Sequence, residues 1–184
     1  AAVAGRADAR RMSAVRFPHE YRVEPLRRDH PKSAFRSGQA QVDDWLANKA
    51  LQNQEKHLSA TKVLIDPVGT IAGFYTLATA QIDFADLPPN LYRRLPRRNL
   101  PVAVLAWLGI RDTDQGQGLG RRLLAQALVD CHHAGETFPF VAVILDCIDD
   151  RALAFYRRWD FRPLPGHHHR LFLSWSQLQT MATG

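Results

Sequence analysis

The stretch Gln115-Gly116-Gln117-Gly118-Leu119-Gly120 lies between an apolar run and an amphipathic segment. The apolar run, residues 102–110, predicts a strand, and the segment 119–132 predicts a helix. Glycines let the backbone approach a ligand closely, and the first amides of a helix have no partner within the helix. A strand that turns through glycines into a helix therefore predicts an anion site, and pyrophosphate is a common ligand of such sites.

Three other interpretations of this stretch are weaker. A P-loop needs Gly-Lys-Ser/Thr, which does not follow here. The dinucleotide fingerprint is G-x-G-x-x-G, whereas these glycines run G-x-G-x-G, although Asp146 after the next apolar run could hold a ribose. The last alternative is a turn without a ligand, but three glycines in five residues cost backbone entropy for no structural need.

A known family shares this spacing. Gln115, Gly118 and Gly120 match Q/R-x-x-G-x-G/A, which resembles the acetyl-CoA pyrophosphate loop of the GNAT N-acetyltransferases. Residues 149–161, DDRALAFYRRWDF, are similar to the A-x-x-F-Y-x-x-x-G-F segment of that superfamily, whose tyrosine faces the cofactor sulfur. That tyrosine is Tyr156 here. The family glycine is replaced by Asp160, and aspartate tolerates a left-handed backbone better than most residues.

Shorter segments narrow the resemblance to the toxins of GNAT-type toxin–antitoxin modules, whose known members acetylate charged tRNA. The segments are FRSG at 35–38, VDDWL at 42–46, NQ at 53–54, SAT at 59–61 and GFYTLA at 73–78. Their order and spacing carry more weight than any one of them. Together with the two longer motifs, they make most of the chain from 21 to 175 resemble these tRNA-acetylating toxins.

The resemblance implies the GNAT fold, an α/β (α+β) domain over residues 20–178 with one mixed, mostly antiparallel sheet. A central, splayed pair of parallel strands and flanking helices are expected. Acetyl-CoA is the implied cofactor, bound by backbone groups of Leu108, Gly109 and Ile110, and no metal is expected. The cofactor-binding residues expected in and after the glycine loop are Gln115, Gly116, Gln117, Gly118, Leu119, Gly120 and Arg121.

Acetyl transfer to an amine needs a neutral nucleophile, a donor for the oxyanion and a proton for the leaving thiolate. We expect Tyr156 to be the catalytic residue, because the reference pKa of tyrosine, about 10, is close to that of an alkyl thiol. Helical spacing predicts that Ala152, Phe155 and Trp159 point inward and that Tyr156 lies on a flank. The alternative is that Tyr156 is only a core aromatic residue.

No general base is obvious in the sequence. The α-amine of an aminoacyl ester has a pKa below the free α-amino range of about 7.7–8.0, whereas a lysine amine titrates near 10.4. An α-amine is thus largely neutral in the cell and favoured as the substrate. Asp146, Glu136 and His132 are candidate bases, although a structural or surface role explains each more simply.

The chain of 184 residues has a formal net charge of +6 and an isoelectric point of about 9.8, which suits anionic partners. Arg93, Arg94, Arg97 and Arg98 form a compact cluster in a proline-rich loop. We expect this arginine cluster to contact the phosphate backbone of aminoacyl-tRNA, because arginine binds phosphate bidentately. A solvated loop that aids solubility is the alternative.

The remaining features favour one globular protein of the cytoplasm. Hydrophobic residues make up 46% of the chain, no apolar run is long enough to span a membrane, and residues 1–19 are expected to be a disordered tail. Cys131 and Cys147 are expected to be buried free thiols, which fits a reducing compartment. The resemblance also implies a homodimer and a ribbon-helix-helix antitoxin as partner.

The run His167-His168-His169 lies in a Pro/Gly turn. Because adjacent side chains of an extended chain alternate faces, we expect an exposed hairpin tip here rather than a metal site.

Three departures from the toxin pattern concern substrate choice or rate. An arginine is common where Trp107 stands, an asparagine is common at Ala154, and Asp160 replaces the glycine. Two other functions therefore stay open. One is a GNAT enzyme that acetylates a small amine, a peptide or a protein N-terminus, and the other is a non-catalytic binding module.

Overall fold

The computed structural model describes residues 15–183 as an α/β protein. The strands are β1 (Arg22–Pro25), β2 (Ala60–Ile65), β3 (Ile71–Asp83), β4 (Asn99–Ile110), β5 (Ala142–Asp146), β6 (Arg162–Pro163) and β7 (Arg170–Ser174). The helices are α1 (Ala40–Asp44), α2 (Ala50–Glu55), α3 (Pro89–Tyr92), α4 (Leu119–Thr137), α5 (Asp150–Arg157) and α6 (Trp175–Thr183). Of the tail predicted over residues 1–19, the first 14 residues lie outside the described residues.

The strands form one seven-stranded sheet in the order β1-β2-β3-β4-β5-β7-β6. The β1–β2, β2–β3, β5–β7 and β6–β7 pairs are antiparallel. The β4–β5 pair is parallel, with Ala103 opposite Val143 and Val104 opposite Ile144. The predicted mixed sheet with a central parallel pair is thereby confirmed.

The chain groups into two compact units. The first unit contains Val15–Ala78 and Leu105–Ala127, and the second contains Thr79–Val104 and the described chain from Leu128 onward. The single domain predicted over residues 20–178 stays a prediction.

In the first unit, the helical spacing of Val42, Trp45, Leu46 and Ala50 predicts a helix over 41–56. It is present as α1, a π-helical turn at Trp45–Lys49, and α2. Its residues Val42, Leu46 and Ala50, four apart, are fully buried and face the core. Strand β4 passes close beneath this helix at Gly109. A Cβ atom there would lie 2.8 Å from Val42 Cγ1 and 2.9 Å from Phe74 Cε1, so the packing requires glycine.

In the second unit, the C-terminal segment differs from the prediction. The apolar run near the C-terminus predicts a strand over 169–175 and no helix after it, but β7 ends at Ser174 and α6 follows. Ser174 Oγ accepts from the Gln177 amide (3.2 Å), and Gln177 Oε1 accepts from the Ser174 amide (3.0 Å). This reciprocal capping box begins the helix at a position where hydrophobic spacing alone indicates only a short apolar strand.

The end of α4 packs against the start of α6. Trp175 stacks on His132 with ring centroids 5.2 Å apart, and Phe140 meets Trp175 edge to face at 5.4 Å. Gly135 lies directly under these rings and is buried. The packing of α6 therefore depends on the absence of a side chain at residue 135.

Both cysteines are buried free thiols, as predicted. Burial raises the pKa of Cys131 to about 12 and that of Cys147 to about 11, so both stay protonated at cellular pH. Every helix within residues 15–183 is too short or too polar to span a bilayer.

We expect Gly135→Ala to destabilise the protein, although alanine is normally the better helix former by about 1 kcal/mol. The added methyl group would lie 2.8 Å from Trp175 Cη2 and 2.9 Å from Phe140 Cε1. Overpacking of this kind costs about 1–3 kcal/mol of unfolding free energy, measurable by urea denaturation. The control Glu136→Ala changes an exposed neighbour and should stay within about 0.5 kcal/mol of the parent. A Gly135→Ala protein as stable as the parent would contradict this packing.

Candidate functional site

The glycine loop leaves β4 through a 3₁₀ turn, Asp112–Asp114, and enters α4 at Leu119. Gly116 and Gly118 have φ angles of +78° and +81°, a left-handed conformation that favours glycine. No atom lies within 4 Å of the Cβ position of Gly116, so the surface above the loop is open. The loop therefore allows a ligand to approach the backbone closely.

The backbone amides of this loop are available to an anion. Within residues 15–183, the amides of residues 116–120 donate to no backbone carbonyl outside the helix and to no side chain. The 19-residue helix α4 begins at this point, so its dipole adds a partial positive charge. Residues 115–117 are also exposed. The loop thus has the exposed amides and the helix start that an anion site needs, and pyrophosphate binding by these residues stays a prediction.

The side chain of Gln115 holds the loop rather than pointing away from it. Its Nε2 donates to the carbonyl oxygens of Ser37 (2.7 Å) and Ile110 (3.0 Å). Gln117 reaches back to the Thr113 carbonyl at 3.4 Å. The glutamines therefore stabilise the loop conformation, and the amides are what a ligand would meet.

An ion-pair network that sequence reasoning missed fixes the base of the loop. The Arg111 guanidinium donates to Asp66 (3.0 Å), to Thr70 Oγ1 (2.7 Å) and to Asp114. Burial raises the pKa of Asp66, but hydrogen bonds from Thr70 and Arg111 outweigh this effect and hold the pKa below its usual range. Asp66 and Arg111 are 45 positions apart, so no local pattern indicates the pair.

The strand residues expected to contact pantetheine lie just before the loop. Gly109 is buried, whereas Leu108 and Ile110 are half-buried. The neighbouring Trp107, which replaces the family's arginine, stacks on Trp45 with ring centroids 5.3 Å apart. The missing charge is thus replaced by an aromatic pair.

Tyr156 lies on the buried face of α5, and the prediction that it occupies a flank was wrong. Leu153, Tyr156 and Trp159 are the buried residues, three apart, while Phe155 is half-buried. Residues three apart share one face of an ordinary α-helix, and this face continues past the helix end, where the Trp159 amide donates to the Tyr156 carbonyl at 2.9 Å.

The environment of Tyr156 keeps its hydroxyl protonated. Its side chain is 8% exposed, and its ring meets those of Phe155 and Phe161 edge to face. Burial, with a smaller effect from Cys147, raises the pKa of Tyr156 well above its ordinary value. The hydroxyl has no hydrogen-bond partner within residues 15–183. Tyr156 therefore combines a fixed ring with an unused proton donor.

The other departures from the family pattern are structurally tolerated. Asp160 has a φ of 63°, so it adopts the left-handed conformation expected at the position of the family glycine. Ala154 is exposed on α5.

The arginine cluster is exposed and unpaired within the part of the chain described. Arg93, Arg94, Arg97 and Arg98 form no ion pair or side-chain hydrogen bond with residues 15–183. The adjacent apolar side chains anchor this segment in the core of the second unit; they are Leu91, Tyr92 and Leu95. The guanidinium groups are therefore presented to solvent by a fixed backbone.

Two of the three candidate bases have structural partners. Asp146 accepts two hydrogen bonds from Arg170, at 2.8 and 3.1 Å. His132 is buried and stacks on Trp175. Glu136 is exposed on α4.

Comparison with curated proteins identifies two related toxins. The chain is 34% identical to a tRNA-acetylating toxin from Mycobacterium tuberculosis over 133 residues, which are 72% of this chain and 79% of that protein. It is 28% identical to a probable toxin TacT from Sinorhizobium fredii over 169 residues, 86% of this chain and 93% of that protein. No protein-family model matches the chain.

Solved structures of toxins share the fold. AtaT complexed with acetyl-methionyl-tRNAfMet has a TM-score of 0.81 and 23% identity, covering 89% of this chain and 100% of AtaT. A tyrosine-to-phenylalanine mutant of KacT has a TM-score of 0.82 and 21% identity, and the match covers 88% of this chain and 98% of the KacT chain. AtaTR bound with acetyl-CoA has a TM-score of 0.78 and 24% identity, and the match covers 89% of this chain and 98% of the matched chain. A further structure contains a tyrosine-to-phenylalanine mutant of AtaT bound to the C-terminus of the antitoxin AtaR.

At these identities the structural likeness shows the fold, whereas the relative with 34% identity shows the family. The chain belongs to the family of tRNA-acetylating toxins.

Proposed function

We propose that this protein transfers the acetyl group of acetyl-CoA to the α-amine of an aminoacyl-tRNA and so blocks translation. The observation that carries the proposal is the 34% identity to a tRNA-acetylating toxin over 72% of the chain. The open glycine loop, the protonated tyrosine and the unpaired arginine cluster support it, because each matches one requirement of the reaction.

The donor site is the glycine loop. The amides of residues 116–120 would hold the pyrophosphate, with Arg121 beside them and the backbone of Leu108–Ile110 along the pantetheine arm. The complex of AtaTR with acetyl-CoA supports this choice of donor. When bound, acetyl-CoA supplies an activated acetyl thioester. The Arg111 network keeps the loop amides in position before the donor arrives.

Tyr156 is the proposed general acid. Its raised pKa keeps the phenol protonated but makes it a weaker acid than free tyrosine, so the proton would pass to the departing sulfur only as the carbon–sulfur bond breaks and charge develops there. Solvent takes the proton that the amine loses and restores that of the tyrosine. Tyrosine-to-phenylalanine mutants of KacT and AtaT are among the solved structures, which supports a functional role for a tyrosine in those proteins.

The acceptor is proposed to be an α-amine because it needs no strong base. Asp146 is engaged by Arg170 and His132 by Trp175, so neither is poised to deprotonate a lysine amine. An aminoacyl ester amine is already largely neutral at cellular pH. The arginine cluster would then contact the tRNA phosphates.

The partners follow from the family. AtaT is solved with its antitoxin AtaR, and KacTA is solved with DNA. We propose that this protein is likewise neutralised by an antitoxin, of the ribbon-helix-helix type, that it forms a homodimer, and that it acts in the cytoplasm without a catalytic metal.

Replacing Tyr156 by phenylalanine should lower kcat for acetyl transfer to charged tRNA by about 10²–10⁴-fold, because the proton donor is lost while the ring remains. Labelled acetyl-CoA and total charged tRNA provide the assay, with deacylated tRNA, a lysine peptide and a polyamine as alternative acceptors. Tyr21→Phe removes a hydroxyl elsewhere and should leave kcat unchanged. Labelled acetyl on the peptide or the polyamine, with none on charged tRNA, would contradict the proposed function.

Neutralising the arginine cluster should weaken tRNA binding. For Arg97→Gln combined with Arg98→Gln we expect a higher KM for charged tRNA and an almost unchanged kcat. The dependence of log K on log salt should flatten by about 0.7–0.9 for each phosphate that the protein no longer neutralises. Arg22→Gln combined with Arg28→Gln removes two arginines that are paired with Glu24 and Glu55, and serves as the control. An equal effect of both double variants would argue against a specific tRNA surface.

Arg111→Lys keeps the positive charge, but its single ammonium nitrogen cannot replace the planar fork in which Nε, Nη1 and Nη2 each reach a different partner. We expect the unfolding free energy to fall by about 1.5–3 kcal/mol, the typical worth of hydrogen bonds to charged groups. The KM for acetyl-CoA should rise more than kcat falls, because the loop loses its support. The control is Arg27→Lys, because Arg27 forms exposed ion pairs with Glu24 and Asp29 in the same unit. Unchanged acetyl-CoA binding in Arg111→Lys would show that the loop is held by other contacts.

A further inference from the structure

The turn between β6 and β7 brings two histidines onto the first residue of α5. Asp150 Oδ1 lies 2.9 Å from His169 Nε2 and 3.5 Å from His168 Nε2. The two imidazole rings are 4.5 Å apart and nearly perpendicular. Three side chains from two separate segments therefore converge on one point of the surface.

The backbone explains how adjacent histidines share a partner. Residues 168 and 169 form a bend instead of an extended strand, so their side chains do not alternate between faces. Gly166, with a φ of +77°, turns the chain, and the His169 carbonyl accepts from the Cys147 amide at 2.8 Å. The extended-chain argument against a metal site thus does not apply to His168 and His169. His167 lies outside the group.

The three ligand atoms are close enough for one small metal ion. Each lies within 4.8 Å of the others, and within residues 15–183 this is the one group of three such side chains. A tetrahedral Zn²⁺ with bonds of about 2.0–2.2 Å needs ligand atoms roughly 3.3 Å apart. The His168 side chain is 72% exposed, so its ring can rotate and bring its ligand nitrogen to this distance from the other two ligand atoms. The exposed surface leaves the fourth position to water.

The neighbouring carboxylates are already occupied. Asp146 is bound by Arg170, and Asp149 caps α5 by accepting from the Ala152 amide at 2.8 Å. Asp150 is the acid of this segment that the histidines approach. Two imidazoles and one carboxylate suit Zn²⁺ and its transition-metal neighbours rather than Mg²⁺ or Ca²⁺, which prefer all-oxygen sites.

We propose that Asp150, His168 and His169 bind a divalent transition-metal ion of the Zn²⁺ class. The ion would fasten the β6–β7 turn to the start of α5, the helix that contains Tyr156. This site lies apart from the glycine loop in sequence and supplies no step of the proposed acetyl transfer. It does not depend on that function.

The test is a zinc titration of the tag-free, full-length chain after removal of metal with a chelator. Calorimetry, or competition with a chromophoric zinc indicator, should give one Zn²⁺ per chain. Asp150→Asn, His168→Ala and His169→Ala should each weaken binding by at least about tenfold, because changes even in the outer shell of zinc sites cost that much. Circular dichroism verifies that each variant is folded.

The control is His167→Ala, which removes an exposed histidine from the same turn and should still bind one equivalent. Excess Mg²⁺ should not compete. Zinc should also slow amide hydrogen exchange at residues 148–151 and 166–169 in the parent chain but not in His168→Ala. The proposal is overturned if zinc does not saturate at one site, if the three ligand variants bind like the parent, or if exchange in these segments is unaffected.

Discussion

The glycine loop rests on Arg111, which ties the start of the loop to the turn between β2 and β3. One guanidinium binds Asp66 and Thr70 in that turn and Asp114 at the entrance to the loop. Left-handed glycines lower the steric cost of the turn but leave it conformationally free. The ion-pair network supplies the missing rigidity, and Gln115 adds a second support through the Ser37 and Ile110 carbonyls. The loop is therefore preorganised, so less binding energy is lost in ordering it.

Burial has opposite consequences at two ionisable groups, one at the base of the glycine loop and one on α5. At Asp66, hydrogen bonds outweigh burial and lower the pKa, which favours the charged state that Arg111 requires. At Tyr156, burial dominates and raises the pKa, which favours the neutral phenol. Burial therefore leaves Asp66 charged, because hydrogen-bond donors surround its carboxylate. It leaves Tyr156 neutral, because its hydroxyl has no hydrogen-bond partner within residues 15–183.

Local sequence patterns predicted most helices and strands and the glycine loop. They failed where contacts between distant segments, or the detailed geometry of a helix, determine the structure. Hydrophobic spacing placed the strands, and glycine spacing placed the loop at the start of α4. The helix α6 was missed because Ser174 and Gln177 define it through a capping box that an apolar count ignores. Tyr156 was assigned to a flank because Ala152, Phe155 and Trp159 were taken as the inward residues, whereas the buried face runs through Leu153, Tyr156 and Trp159. The Arg111–Asp66 pair and the approach of His169 to Asp150 join distant segments, which a single sequence does not reveal.

Trp107 occupies the position of the family's arginine, and here this position is packed against another aromatic residue instead of carrying a charge. Trp107 stacks on Trp45, and the Trp45 indole donates to Thr76 Oγ1 at 3.1 Å. Thr76 in turn shares a hydrogen bond of 2.7 Å with Thr61, and both threonines are buried. An aromatic pair of this kind adds about 0.5–1.5 kcal/mol beyond its buried area. Trp107 therefore places an aromatic ring, and no charge, beside Leu108 in strand β4.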